Sequence, residues 1–421
     1  MQSLSMKDNT ILKKLGPGLI TGAADDDPSG IATYSQAGAL FGFNMLWTLL
    51  FTYPLMVGIQ IVSARIGCVS GGGLGTNIRI HYSKWLLYSI VILLLFANTI
   101  NIAADISAMG SAFSLLNGGP AHIYAIVIGM LSLLLQVFLP YSTYVRFLKW
   151  LTLVLLTYVA TVFVIKVPWL EVLHSTFLPQ ISWKAEYITT MVAIFGTTIS
   201  PYLFFWQASQ EVEDQELNPN AHALKNAPEQ VKENFHRIKI DTYVGMGFSN
   251  LVAFFIILTA AATLHMHGVT NIQTSADAAN ALRPIAGDFA FFLFSCGIIG
   301  TGLLAIPVLA GSSAYAMAEA LDWKNKSLEL KPQMAKRFYS VIIISTVLGV
   351  AIGFTKIDPI KALYLSAVVN GVISVPIMAV MMLMAKNPKI MGRLVIGKKL
   401  HFIGWLAVIA MAAAVIAMFI V

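Results

Sequence analysis

The chain has 421 residues, is 57% hydrophobic and only 11% charged, and carries a mean hydropathy of +0.75 and a formal net charge of +7. Soluble domains carry about 25% charge, so this composition excludes a string of soluble domains and points to a polytopic membrane protein. The positive balance is therefore read against membrane topology rather than as a nucleic-acid footprint, and two lone cysteines, Cys68 and Cys296, give neither a disulfide framework nor a metal-ligand spacing.

The first apolar segment carries GPGLITGAADDDPSG at 16–30, in which Asp25, Asp26 and Asp27 stand directly before Pro28, Ser29 and Gly30. The three carboxylates leave no compact apolar core with a cleavage site, so a removed signal peptide is not expected. A carboxylate in a membrane span is costly and reads as functional. The Pro-Ser-Gly step ends the helix before it and frees backbone carbonyls, so the stretch describes a cation site. A surface loop is the alternative, and the remaining spans decide between the two.

A span needs about 20 apolar residues. Eleven are predicted, at about 15–40, 44–66, 85–116, 121–139, 144–166, 186–210, 240–264, 286–320, 337–354, 359–385 and 401–421. With the N-terminus inside, only Lys166, Lys184, Arg283, Lys356 and Lys361 of the 27 Lys and Arg fall in outer segments, and the other 22 lie inside. That split supports the count, a cytoplasmic N-terminus and an outside C-terminus. It also places the three aspartates within a span.

The sixth span contains a second interruption, GTTISPYLFF at 196–205, with Pro201 in mid-span. Alone, it reads as an ordinary proline kink. Paired with the first, five spans earlier, it becomes the signature of an inverted-repeat transporter, with repeats of about 15–166 and 186–385 and an extra helix at about 401–421. The half-helix ends near Ala24 and Thr197 offer carbonyl oxygens, Asp27 a charge and Ser200 a hydroxyl. All are oxygen ligands, which favour hard cations. Neighbours on a helix lie 100° apart, so the three aspartates do not all face one site; Asp27, then Asp26, are the expected ligands.

The inner loop at 211–239 begins with Glu211, Glu213 and Asp214. A solvated helix exit is the favoured reading, and a gating role the other. His265 and His267 flank an outer loop and read as solvated rather than metal-binding. Asp105 in span three is either a proton or cation carrier or a structural acid.

GPG at 16–18, Asp27-Pro28, QAGA at 36–39, LW at 46–47, ARIGCVSGGGL at 64–74, GTTISP at 196–201 and GLLAIPVLAGSSAYAMAEAL at 302–321 resemble the NRAMP family of divalent-metal transporters, over nearly all of spans 1–10. The resemblance implies an all-α membrane protein of LeuT-like 5+5 inverted-repeat fold, with helices 1 and 6 broken and an eleventh peripheral helix in a single multi-pass domain. It implies that Asp27 is a metal ligand and that a polar residue of span ten, Asn370, lies near the ion, with helix packing the other reading of Asn370.

The departures narrow the substrate. Where the family has Asp-Pro-Gly-Asn, this chain has Asp27-Pro28-Ser29-Gly30, without the asparagine ligand. Where the family has Met-Pro-His, it has Ser200-Pro201-Tyr202, without the thioether and the histidine linked to proton movement. Asp105 matches the family's aspartate in span three, but Ala108 replaces its glutamate. Losing sulfur weakens Mn²⁺ and Fe²⁺ relative to Mg²⁺. A roomier oxygen site suits an ion that keeps water. Neither Tyr202 nor Ala108 titrates near neutral pH. The pattern is similar to the NRAMP-related magnesium transporters, regarded as uncoupled from protons.

The expected function is a plasma-membrane or inner-membrane carrier of Mg²⁺, with Mn²⁺ a further substrate, acting by alternating access as a monomer, without proton coupling, resident cofactor or nucleic-acid partner. A proton-coupled Mn²⁺/Fe²⁺ carrier using Asp105, and a LeuT-fold carrier of a non-metal solute, are the alternatives. A membrane enzyme is disfavoured, since no nucleophile–base set appears. A sensor or scaffold would need a regulatory domain that no loop is long enough to supply.

Overall fold

The computed structural model describes residues 21, 22, 24–139, 152–272, 274–353 and 358–421. The GPG at 16–18, the opening of the fifth predicted span at 144–151 and Lys356 lie outside the described residues. Among the described residues the secondary structure is entirely helical.

Residues 21, 22, 24 and 25 are helical and lead into the aspartates. Then follow α1 (Pro28–Phe41), α2 (Leu46–Ser70), α3 (Leu74–His81), α4 (Lys84–Asn117), α5 (Ala121–Phe138), α6 (Leu156–Val164) and α7 (Trp169–Phe177). The second half runs through α8 (Ala185–Thr198), α9 (Pro201–Leu217), α10 (Val231–Thr263), α11 (Ala290–Ala320), α12 (Lys336–Ile352), α13 (Pro359–Lys386) and α14 (Lys398–Ile420). Short helical turns occupy the loop between α10 and α11.

Eight helical runs among the described residues are long and apolar enough to cross a membrane. Pro28–Ser70 holds the second half of the first predicted span and all of the second in one run, because a single 3₁₀ turn, Gly42–Met45, joins α1 to α2. Ala185–Leu217 likewise holds both halves of the predicted sixth span. The predicted ninth span appears as α12, at 17 residues.

Both breaks are built the same way. Asp27 is the N-cap of α1 with extended backbone (φ −69°, ψ 171°), and Pro28 follows at the first helical position. Ser200 is the N-cap of α9 (φ −80°, ψ 133°), and Pro201 follows. Asp and Ser are favoured caps, and Pro is tolerated at the first helical position because its missing N–H has no partner there. Each proline therefore starts a new half-helix as well as ending the old one.

The packing is reciprocal. The half-helix after the first break, α1, packs on α10; the half-helix after the second, α9, packs on α2. Helix α13 packs on α8, α4 and α1, and α11 on α4. Two of these approaches are close enough to demand glycine. A β-carbon on Gly196 of α8 would lie 2.0 Å from the Ala367 carbonyl oxygen of α13, and one on Gly22 would lie 2.3 Å from the Gly245 backbone of α10. Small residues at such points let backbones approach where lipid gives no hydrophobic drive. Helix α14 lies against α2, α8 and α13 with most of its surface outward, as an extra peripheral helix would.

Candidate metal centre at the paired helix breaks

Asp27 is 2% exposed, and its oxygens are shared between its own helix and a neighbour. Oδ1 accepts from the Gly30 backbone N–H at 2.8 Å and from Ser29 Oγ at 2.5 Å. Oδ2 accepts from Asn101 Nδ2 of α4 at 3.0 Å. The same amide donates to Asp105 Oδ2 at 3.3 Å, while Asn101 Oδ1 accepts from Asn370 Nδ2 of α13 at 3.2 Å. Asp27, Asp105 and Asn370, predicted separately from three spans, thus meet through one residue. The remaining oxygens, Asp105 Oδ1 and Asn370 Oδ1, are buried and accept no hydrogen bond.

Asn101 is the site residue that sequence reasoning missed. Its signal was nonetheless present: Asn98, Asn101 and Asp105 stand at i, i+3 and i+7, one face of a helix. All three are fully buried.

The second break adjoins the first. Tyr202 Oη donates to the Ala24 carbonyl at 2.9 Å. Ser200 Oγ bonds back to its own helix end, to the Gly196 carbonyl at 2.7 Å and the Thr197 carbonyl at 2.9 Å. The carbonyls of Ala24 and Thr197, expected to be free, therefore each accept a hydroxyl, which leaves one lone pair apiece for an ion. Tyr202 ties α9 to the end of the first half-helix.

Two expectations about this centre need correction. Asp26 does not join Asp27: with Asp25 it faces α10, where Ser249 Oγ lies 2.5 Å from Asp25 Oδ2 and 3.1 Å from Asp26 Oδ1. The extended backbone at Asp27 turns that side chain toward α4 and away from its predecessors. Nor does Gly30 leave open space where the family has asparagine. A β-carbon there would stand 3.1 Å from Thr197 Oγ1 and 3.3 Å from Tyr34 Cε2. The two breaks close on each other at this point.

The acids after the second break are not a solvated helix exit. Glu211 is fully buried and ion-paired to Arg237 of α10. Gln207 Nε2 donates to Glu211 Oε1 at 3.2 Å, and Gln207 Oε1 accepts from Thr21 Oγ1 at 2.7 Å. Glu213 accepts from Tyr315 Oη and Ser327 Oγ. Only Asp214 of the three is exposed. Burying a carboxylate is costly unless it is paired and hydrogen-bonded, and these partners supply that pairing. His265 and His267 bond backbone carbonyls, of Ala39 at 2.7 Å and Thr263 at 2.9 Å. Among the described residues, no group of three or more His, Cys, Asp and Glu converges as a metal cage.

A family model described as "Nramp: Natural resistance-associated macrophage protein-like" matches residues 18–421. The chain belongs to the Nramp family. A relative from Caldanaerobacter subterraneus subsp. tengcongensis, named divalent metal cation transporter MntH, is 24% identical over 384 residues, 87% of this chain and 83% of that protein. A Klebsiella pneumoniae protein of the same name is 24% identical over 415 residues, 96% and 92% of the two chains. Among solved structures, the Eremococcus coleocola manganese transporter superimposes with a TM-score of 0.73 at 16% identity, covering 100% of this chain and 88% of that one. Mhp1, a nucleobase-cation-symport-1 family transporter, reaches a TM-score of 0.60 at 14% identity, covering 97% and 89%. The fold is thus the LeuT-like fold with two broken helices. Nramp membership makes the chain a multi-pass membrane transporter and not an enzyme.

Proposed function

We propose that this Nramp protein carries divalent metal cations, Mg²⁺ in preference to Mn²⁺, across the cell membrane by alternating access and without proton coupling. The observation that carries the reading is the joining of Asp27, Asn101, Asp105 and Asn370 at the first break. These side chains offer a cation only oxygen. Oxygen donors without thioether or imidazole suit hard ions. Mg²⁺ is held through one or two carboxylates while it keeps several waters, and the Asp27–Asp105 pair supplies that number. The curated relatives are named for divalent metal cations in general, which agrees with the class of substrate.

In this reading the chain is one multi-pass unit of two repeats, about 15–166 and 186–385, with its N-terminus in the cytoplasm, and it acts as a monomer. The ion sits between the breaks. Asp27 and the lone pairs left on the Ala24 and Thr197 carbonyls and on Ser200 face it. The Glu211–Arg237 pair and the Gln207–Thr21 bond hold α9 against α10 and the first half-helix on the inner side, and inward release requires that they part. The driving force is the membrane potential, worth about 4.6 kcal/mol for two charges at about 100 mV.

Uptake of Mg²⁺ into liposomes holding the purified protein tests the reading. Wild-type protein admits Mg²⁺, and Asp27→Ala lowers the rate at least about tenfold, the equivalent of about 1.4 kcal/mol. Mg²⁺ exclusion by the wild type, or an unchanged rate in Asp27→Ala, sinks it. The second reading, a proton-coupled Mn²⁺ carrier, draws on the buried Asp105 beside Asp27 and requires the vesicle interior to acidify as the metal enters.

A further inference from the structure

We infer that Asn101 of α4 is a specificity-determining residue of the ion seat, because its amide joins the second carboxylate, Asp105, to Asp27. The inference rests on the function proposed above and concerns how that site distinguishes divalent ions.

The geometry is that of a joint. One side-chain amide donates both of its N–H groups to two carboxylates from different helices, Asp27 Oδ2 at 3.0 Å and Asp105 Oδ2 at 3.3 Å. Its oxygen is held by Asn370 of a third helix at 3.2 Å. All four side chains are buried to within 2%. Each carboxylate carries one further oxygen. That of Asp27 is taken by Ser29 and Gly30, while that of Asp105 is unpartnered, as is Asn370 Oδ1. A buried acceptor without a donor is destabilising, and waters on a cation are donors. Two such acceptors beside Asp27, held at fixed spacing by Asn101, recognise an ion by its hydration shell as well as by its charge. Mg²⁺ dehydrates reluctantly and depends on them. Mn²⁺ stands above Mg²⁺ in affinity for the ligands it touches directly and relies more on Asp27 itself.

Asn98, one turn before, does not share the role: its amide donates to the Leu309 carbonyl and to Ser312 and Ser313 of α11, which fixes α4 to that helix. Among the described residues Asn101 makes no comparable packing bond, and its side-chain partners are Asp27, Asp105 and Asn370.

Calorimetric titration of the full-length protein with Mg²⁺ and with Mn²⁺ tests this, using wild type, Asn101→Ala, Asp105→Asn and the double variant. Each single variant is expected to weaken Mg²⁺ at least about tenfold and Mn²⁺ less than about threefold. The double variant stays within about twofold of the singles, because both changes break the same link. Equal weakening of the two ions, no weakening in either single variant, or single effects that multiply in the double variant overturns the inference while leaving divalent-ion transport standing. A wild-type protein that binds neither ion overturns the transport reading and this inference with it.

Discussion

Ser200 stands where the family's thioether is expected, and the structure shows what it does instead. Its hydroxyl closes the end of α8 by bonding the Gly196 and Thr197 carbonyls, so its proton is committed and only its lone pairs face outward. Ser200→Met would release those carbonyls and add a soft ligand. The ratio of Cd²⁺ to Mg²⁺ uptake should rise about tenfold, measured as isotope or dye flux in the same liposomes; an unchanged ratio would detach residue 200 from the ion path. Asp27 was legible from its position before Pro28. Its separation from Asp26 was not: Pro28 biases residue 27 to extended backbone, but the neighbours that its side chain and that of Asp26 then meet are set by tertiary packing. Asn101 stayed hidden for a different reason. The polar stripe of Asn98, Asn101 and Asp105 marks a face of α4, but which of its members meets Asp27 and Asn370 depends on how the helices pack.

At the scale of elements, both half-helix starts were visible as prolines. What the prolines do was only partly visible, since each also serves as the first residue of a capped new helix. The tethering of α9 was missed because three acids at a helix end ordinarily point to water. Here α9 is tied on several sides: through Gln207 to Thr21, through Glu211 to Arg237, through Glu213 to Tyr315 and Ser327, and through Ser209 to Glu319 at 2.8 Å. Glu319 also accepts from the Gly75 and Thr76 backbone N–H groups, which anchors α3 to the same cluster. Glu211→Ala would leave Arg237 without its buried partner and cost about 3 kcal/mol, seen as a lower thermal midpoint in detergent. Adding Arg237→Leu should recover most of that loss, because the stranded charge goes with it. A double variant no more stable than Glu211→Ala would show that the pair does not hold α9 in this way.

For the whole molecule, the apolar segments gave the expected spans, and the uneven distribution of Lys and Arg supported that count and the expectation of a cytoplasmic N-terminus. The paired breaks pointed to an inverted-repeat transporter, the family resemblance implied the LeuT-like form of it, and the superposition on the Eremococcus coleocola transporter agrees with that fold. Selectivity and coupling are properties of the whole cycle. In the function proposed above, serine and tyrosine flanking Pro201 in place of the family's methionine and histidine, and alanine at 108, leave the chain to transport charge without exchanging protons. Potential-driven Mg²⁺ uptake, recorded together with interior pH in the same liposomes, tests this directly. The account predicts that an inside-negative potential of about 100 mV, worth about 4.6 kcal/mol for a divalent ion, drives Mg²⁺ inward while the interior pH stays constant and the rate is flat across neutral pH. Interior acidification in step with metal entry, or Mg²⁺ uptake indifferent to the potential, would contradict it.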